Sequence, residues 1–254
     1  MQPTPIKTAP PLTQSPPDAN TPVVVIGAGF GGIASAIRLQ ARGYQVTLVD
    51  QLDQPGGRAY VFKDKGFTFD AGPTVVTIPV LFEELYNLAG KKMEDHIKLV
   101  KLDPYYRVRF HDGKTFDYSD NPAAIEAQIT KVSPSDLEGF RRYLKDSHEI
   151  YKVGFEGLSD VPFHKLWDMI RVAPQLIKLK SFLSVSQLVA SYVKDPYLRI
   201  ALTLHPLLVG GNPFTTTSIY SMILHLEREH GVWYAMGGTG AIVTALIDLF
   251  EELG

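Results

Sequence analysis

A glycine-rich turn joins a short β-branched strand to a helix near the start of the sequence. The strand covers residues 23–26, and Gly27, Gly29 and Gly32 follow in the pattern G-x-G-x-x-G. In this pattern the first glycine permits the sharp bend, the second lets a pyrophosphate approach the backbone, and the third lets the helix pack closely on the strand. The free N–H groups at the helix N-terminus favour an anion. We predict a dinucleotide site whose turn residues are Gly27, Ala28, Gly29, Gly31 and Gly32.

The chain after the turn completes a strand–helix–strand unit. An apolar face with small residues predicts a helix that ends at Gly43, and residues 46–49 form the second strand. Residues 23–26 are all apolar, which predicts a parallel strand covered on both faces. Asp50 follows the second strand at close to the roughly 20-residue spacing of an acid that accepts a hydrogen bond from a ribose hydroxyl. Asp50 is therefore the predicted ribose ligand.

A second glycine segment, residues 54–59, follows Asp50 directly. Its glycines would bring another stretch of backbone close to a ligand, and its arginine suits a phosphate or a flavin carbonyl. NAD is the default ligand from the first turn alone, and the second segment leaves NAD and FAD as alternatives at this point. The candidate ligand contacts of this segment are Gly56, Gly57, Arg58 and Ala59.

Composition limits the remaining function classes. The net charge is -2 and no run of Lys and Arg occurs, so nothing favours nucleic acid. Cysteine is absent, which excludes disulfides and thiolate metal sites, and the spacing of His164, His205, His225 and His230 predicts no metal site. Residues 1–22 are rich in proline and predict a disordered tail. No apolar run reaches the roughly 18 residues of a membrane span, which predicts a soluble or peripheral protein.

The later elements form two groups. A hairpin-like region at 58–69 and a helix at about 79–89 precede a hairpin whose strands, 106–110 and 115–118, flank an Asp-Gly turn. Residues 133 to about 208 are mostly helical, and the prolines at 162, 174 and 196 predict helix breaks. Residues 227–229 predict a solvated helix face, and the glycines at 237–240 open a final helix.

Several motifs together resemble the bacterial and fungal type of phytoene desaturase. They are residues 25–32, 55–60, 66–74, 207–214 and 231–241, in the family's order. The resemblance implies FAD without a nicotinamide cofactor, although the ribose acid is more often Glu than Asp in that family. It implies an α/β fold, in which a Rossmann-like FAD-binding βαβ domain carries an inserted α+β substrate domain. The implied organisation is a disordered tail at 1–22, FAD-binding residues 23–92, a substrate-binding α+β and helical region at 93–230, and a truncated return to the FAD domain at 231–254.

The resemblance also implies a reaction and an acid–base pair. The family desaturates phytoene, taken from the lipid phase, toward lycopene, and quinone or oxygen is the candidate terminal oxidant. Asp168 and Arg171 match the pair proposed for this family, and their i, i+3 spacing places them on one helical face. From spacing alone, a surface ion pair is the simpler interpretation. Large residues of the helical region, each more typical of core than of a substrate tunnel, are Trp167, Phe182, Leu183, Tyr192, Leu207 and Leu208.

Other interpretations remain open from sequence. An amine oxidase, a carotenoid ketolase or a related polyene desaturase would have the same sheet and a different tunnel. Family members are longer than this chain, which predicts an incomplete N-terminal portion, with an inactive nucleotide-binding fragment as the non-enzymatic alternative. A hydrocarbon substrate implies a cytoplasmic protein in peripheral contact with a membrane. Residues 176–183, where apolar residues alternate with lysines, fit either a membrane surface or a buried helix.

Overall fold

The computed structural model describes residues 21–159 and 161–254 of the chain. They divide into two compact units, which we call the glycine-turn unit (21–102 and 232–254) and the helical unit (103–231, apart from residue 160). The predicted disordered tail lies outside the described residues up to position 20. Its last residue, Pro22, instead begins the first strand, where proline is tolerated because no ladder bond is needed from its nitrogen.

Strands and helices alternate early in the chain, and helices dominate its middle. The strands are β1 Pro22–Ile26, β2 Gln45–Val49, β3 Val61–Asp64, β4 Phe67–Asp70, β5 Leu99–Lys101, β6 Tyr106–Arg109, β7 Thr115–Tyr118 and β8 Trp233–Ala235. The α-helices are α1 Phe30–Gln40, α2 Val80–Leu88, α3 Pro122–Val132, α4 Leu137–Tyr151, α5 Leu166–Lys178, α6 Val185–Ala190, α7 Pro196–Leu202, α8 Met222–His230 and α9 Thr239–Glu252. A π-helical turn, Lys152–Glu156, extends α4.

The predicted strand–helix–strand unit is present in the glycine-turn unit. β1 and β2 pair in parallel, with Val23 opposite Val46, and α1 connects them. The predicted burial of β1 on both faces is wrong for the described residues, because Val24 is exposed and Ile26 is 86% exposed. The alternate residues of β1 are half-buried, so β1 is covered on one face within the part of the chain that the structure describes.

The core of the glycine-turn unit brings the two ends of its sequence together. α1 contacts both α2 and α9, and Ile33, Ile37 and Leu246 are buried there. The hydroxyl of Tyr86 in α2 donates to the carbonyl oxygen of Ala245 in α9 at 2.9 Å. β5 pairs antiparallel with β8, so residues up to Leu102 belong to this unit, whereas the sequence placed the division between 92 and 93.

The helical unit opens with the predicted hairpin. β6 and β7 pair antiparallel, and Gly113 adopts a φ of 85° in the turn between them. α3 follows, with a side-chain cap from Asn121 and a proline at its first position, a signal that the sequence analysis did not use. α4 packs against α8. The side chains that fill this core include Phe140, Tyr143, Ile150, Leu188, Leu198 and Leu224.

Two of the three predicted proline breaks are confirmed. α5 begins after Pro162, and α7 begins at Pro196 behind a cap from Asp195. The predicted break at Pro174 is wrong, because this residue lies inside α5. A proline there removes the hydrogen bond to the carbonyl of Ile170. Both residues are on the exposed side of the helix, where water can satisfy that carbonyl.

Candidate functional site

The glycine turn has the geometry that its sequence predicts. Gly27 adopts a φ of 103° and its N–H donates to the carbonyl of Val49 at 2.7 Å. A Cβ on Gly32 would lie 1.7 Å from the carbonyl oxygen of Gly27, so any side chain there would push α1 away from β1. The first turn of α1 contains no acidic residue and no side-chain cap. Its N–H groups are therefore available to an anion.

The second glycine segment lies directly against the first. The N–H of Gly56 donates to the carbonyl of Ala28 at 2.8 Å, and Gly29 and Gly56 form an isolated parallel bridge. A Cβ on Gly57 would approach the Cα of Gly29 to 3.1 Å. The two backbone stretches therefore meet with no side chain between them. A ligand that contacts both stretches requires this arrangement.

Asp50 is held at the turn by two backbone donors. The N–H of Ala28 donates to its Oδ2 at 2.6 Å, and the N–H of Leu52 donates to its Oδ1 at 2.9 Å. The hydrogen bonds from Leu52 and Ala28 lower the pKa of Asp50 below its ordinary value. Each carboxylate oxygen keeps a second lone pair, so Asp50 is an anchored anion that can still accept from a ribose hydroxyl.

Arg58 and Ala59 occupy different environments. Ala59 is buried in the core of the unit, whereas Arg58 is exposed. A Cβ on Gly72 would lie 1.9 Å from the carbonyl oxygen of Arg58, so the segment after β4 also runs close to the second glycine segment. The Arg58 side chain is thereby left outside the packed backbone, free to reach a bound anion.

A carboxylate that the sequence did not predict lies at the start of α9. Asp70, at the end of β4, accepts from the N–H of Thr239 at 3.2 Å, and the Thr239 hydroxyl donates to the carbonyl of Pro73. α9 has no acid in its own first turn, so Asp70 supplies the negative charge that a helix N-terminus favours. A contact between residues 169 positions apart has no local sequence signal.

Comparisons with known proteins identify the family. Residues 30–254 match the family described as flavin containing amine oxidoreductase. The chain belongs to this family. The fold class predicted from sequence is confirmed, and so is FAD as the cofactor. The two glycine segments without side chains, the uncapped N-terminus of α1 and the anchored Asp50 fit the adenosine diphosphate part of FAD.

Relatives with high identity carry the name that the sequence motifs suggested. Phytoene desaturase (lycopene-forming) of Pseudescherichia vulneris is 54% identical over 231 residues, which is 91% of this chain and 47% of the relative. The enzyme of the same name from Pantoea ananas is 53% identical, with 92% and 47% covered. The structure of a CLA-producing fatty acid isomerase from P. acnes has a TM-score of 0.57 at 14% identity, with 93% and 51% covered. The chain spans about half the length of the curated relatives it matches.

The resemblance to phytoene desaturases is confirmed by these relatives, and the acid–base pair that it implies lies on α5. Asp168 and Arg171 both lie on α5, in the helical unit. The carboxylate of Asp168 is half-buried and accepts from the N–H of Lys165 at 2.9 Å, as a helix cap. Arg171 is exposed. Their role in the reaction stays a prediction.

Several large side chains of the helical unit are not in its core. Trp167 is 73% exposed and Phe182 is 72% exposed, and Leu207 and Leu208 are exposed as well. The sequence interpretation of these four as core residues is therefore wrong. They lie in the first turn of α5 and in turns between helices, where the spacing of apolar residues does not indicate which side faces inward.

The predicted solvated face at 227–229 is also wrong. Glu227 is fully buried, and its Oε1 accepts from the hydroxyl of Tyr106 at 2.9 Å. Its Oε2 lies 3.4 Å from Nε2 of the buried His205. Glu227 therefore faces β6 and the turn that contains His205, and a charged residue is tolerated there because the hydroxyl of Tyr106 donates to it.

Two further histidines of the helical unit, His148 and His225, pair with each other and with a carboxylate. Nδ1 of His148 and Nε2 of His225 are 2.8 Å apart, and Nε2 of His225 is 2.8 Å from Oε2 of Glu229. Burial, followed by the neighbouring His148, lowers the pKa of His225. Among residues 21–159 and 161–254, no group of three or more His, Asp or Glu side chains could hold a metal ion.

Proposed function

We propose that the protein catalyses the FAD-dependent dehydrogenation of phytoene toward lycopene. The observation that carries the proposal is the identity above 50% to phytoene desaturases over nine-tenths of this chain. The glycine-turn unit supports it, because two side-chain-free backbone stretches and one anchored carboxylate meet there. We assign FAD contacts to Gly27, Ala28, Gly29, Gly31, Gly32, Asp50, Gly56, Gly57, Arg58 and Ala59.

Each glycine-turn residue would have a definite task. The N–H groups at the start of α1 would bind the diphosphate, and Asp50 would accept from the ribose of the adenosine. Arg58, exposed beside Gly57, would contact a phosphate or a flavin carbonyl. When bound, the flavin would supply a two-electron oxidant for a saturated carbon of the substrate.

Asp168 and Arg171 would manage the charge left on the substrate. Loss of a hydride from one carbon leaves a cation, and loss of a proton from the adjacent carbon forms the new double bond. The carboxylate of Asp168 would stabilise the cation and take that proton, and Arg171 would hold the carboxylate in its anionic form. The two electrons would pass to a terminal oxidant, for which quinone and oxygen are the candidates.

We propose a cytoplasmic location with peripheral membrane contact. The substrate is a hydrocarbon that resides in the lipid phase, so the enzyme must meet a bilayer to collect it. No helix among the described residues is long and apolar enough to cross a membrane. Contact at the membrane surface is consistent with that finding.

The proposal is tested with the full-length protein encoded by the gene. Purified protein with FAD is incubated with liposomes that contain phytoene, and coloured products are identified by chromatography. We expect conjugated polyenes, and a sharp loss of turnover in Asp168→Asn with FAD still bound. Asparagine retains an oxygen for the N–H of Lys165, so the α5 cap is kept and the loss reports on chemistry. Oxidation of amines instead of phytoene, or absence of any turnover, would refute the proposal.

A further inference from the structure

Two sequence motifs, residues 66–74 and 231–241, have no task in the proposed function. The structure brings them together, because Asp70 in the first motif accepts a hydrogen bond from Thr239 in the second. The second motif is similar to the turn before α1, since glycines open a helix in both places. Such a helix start favours an anion. At α9 that anion is a carboxylate of the protein itself, so this turn does not serve as a second phosphate site.

Gly238 makes the close approach of this carboxylate possible. It adopts a φ of 80°, and a Cβ there would lie 2.5 Å from Oδ2 and 2.9 Å from Oδ1 of Asp70. Oδ1 is buried and has no hydrogen-bond partner among the described residues. Its charge is therefore offset by the positive end of the α9 dipole. Removing the carboxylate should release the start of α9 from β4.

The loop between Asp70 and Val76 is held at three points by the last part of the chain. Asp70 is bound to the N–H of Thr239, and the hydroxyl of Thr239 donates to the carbonyl of Pro73. Val76 and Trp233 exchange two backbone hydrogen bonds of 2.8 Å each. We call the group of Asp70, Pro73 and Thr239 the α9 clamp.

The loop that the clamp holds lies directly against the second glycine segment. A Cβ on Gly72 would lie 1.9 Å from the carbonyl oxygen of Arg58 and 3.7 Å from the Cα of Ala59. The first turn of α9 packs just beyond the segment, where a Cβ on Gly240 would lie 2.5 Å from Cγ2 of Val61. The backbone of Arg58 is therefore supported by the clamp, while its side chain is exposed.

We propose that the α9 clamp positions Arg58 for its contact with FAD. An arginine whose backbone is already fixed loses less conformational entropy when it binds a phosphate or a carbonyl. Asp70 acts through Arg58 and does not itself touch the cofactor, so it is a positioning residue. The inference rests on the contact between Arg58 and FAD in the proposed function, and it names the group that holds Arg58 in place.

Limited tryptic cleavage tests the clamp in the 254-residue chain without FAD. Trypsin cuts after Arg58 only when the backbone opens there, because Ala59 is buried. Asp70→Ala removes both the acceptor and the charge, and we expect it to speed this cleavage by about fivefold or more. Cleavage after Arg42, which is exposed in the same unit, is the internal reference and should keep its rate. Asp195→Ala is the matched control, because Asp195 caps α7 in the helical unit, and it should change neither rate.

Flavin fluorescence quenching with the full-length protein measures the step from the clamp to the cofactor. Arg58→Ala and Asp70→Ala should each weaken FAD binding by about tenfold. The double variant should bind little more weakly than either single variant, because both changes remove the same contact. Asp195→Ala should bind FAD normally. Thr239→Val, which removes only the hydroxyl bound to Pro73, should show the same pattern with smaller changes and replaces Asp70→Ala if that variant does not fold.

Two results would overturn the proposal. One is that cleavage after Arg58 is as slow in Asp70→Ala and Thr239→Val as in the unmodified chain, with circular dichroism unchanged. The other is that the loss of FAD affinity in the double variant equals the product of the two single losses, as independent sites would give. Normal FAD binding in Arg58→Ala would count against the Arg58 contact of the proposed function, whereas the cleavage rates decide separately whether the clamp holds this segment.

Discussion

The carboxylate of Asp50 accepts a 2.6 Å hydrogen bond from the N–H of Ala28, inside the glycine turn. The predicted ribose ligand is therefore also part of the framework that shapes the diphosphate site. One side chain fixes the distance between the end of β2 and the turn, so changes in its chemistry should affect the ligand at two places.

Replacing Asp50 by Asn should weaken FAD binding by about tenfold to a hundredfold, since hydrogen bonds to a charged group contribute about 1.5–3 kcal/mol. The amide keeps one acceptor but places an NH₂ group against a backbone N–H or the ribose. Fluorescence quenching of FAD during titration of the apoprotein measures the dissociation constant. Asp64→Asn, on an exposed strand end in the same unit, is the control and should bind FAD normally. Equal affinity in both variants would remove Asp50 from the site.

Gly32→Ala should lower the free energy of unfolding by about 1–3 kcal/mol, because the new methyl group would overlap the carbonyl oxygen of Gly27. Gly31→Ala is the matched control one position earlier, where a Cβ meets nothing within 4 Å. The control should be neutral or slightly stabilising, as expected for Gly→Ala in a helix. Urea denaturation of both apoproteins makes the comparison. A normal midpoint for Gly32→Ala would mean that α1 does not need its close approach to β1.

Glu227→Ala should destabilise the helical unit by about 1–3 kcal/mol, because it leaves the buried hydroxyl of Tyr106 without its acceptor. Glu227→Gln retains an acceptor for Tyr106 and should cost less than half as much. Thermal unfolding monitored by circular dichroism compares the two. Equal losses would indicate that the negative charge, and not the acceptor to Tyr106, is what the unit requires.

Acid should destabilise the helical unit through His225. Burial and His148 lower its folded-state pKa below the ordinary 6.5, so the unfolded chain takes up the proton first. The stabilisation is complete above pH 6.5 and decreases as the pH falls toward the folded-state pKa. His225→Gln should reduce the difference between urea midpoints at pH 7.5 and pH 5.5. His164→Gln, at an exposed position, should leave that difference unchanged, and an unchanged difference in both variants would contradict the assignment.

The accuracy of the sequence interpretation depended on how local each feature is. The turn from Gly27 to Gly32 and its partner Asp50 follow from spacing within one strand–helix–strand unit, and the structure brings them together. Asp70 at the start of α9 could not be found, because the contact depends on how distant segments pack. Glu227 appeared to be solvent-facing since its neighbours are charged, whereas it is buried against residues far away in the sequence, Tyr106 on β6 and His205. The prediction at Pro174 also depended on burial that the sequence does not reveal. The exposed side of α5 tolerates a missing backbone hydrogen bond, which a buried helix would not.

The discontinuous sequence of the glycine-turn unit has a consequence for folding order. α9 supplies core residues against α1 and α2, and β8 supplies the partner of β5, yet both come after the whole of residues 103–231. The helical unit is contiguous and can complete its contacts without closing that long loop, whose closure carries an entropic cost that grows with the logarithm of its length. We expect residues 103–231 to gain protection from hydrogen exchange before α1 does during refolding. The cofactor site would then be the last part of the chain to fold. Added FAD would therefore increase the final yield of native protein more than it increases the rate of the earliest folding step.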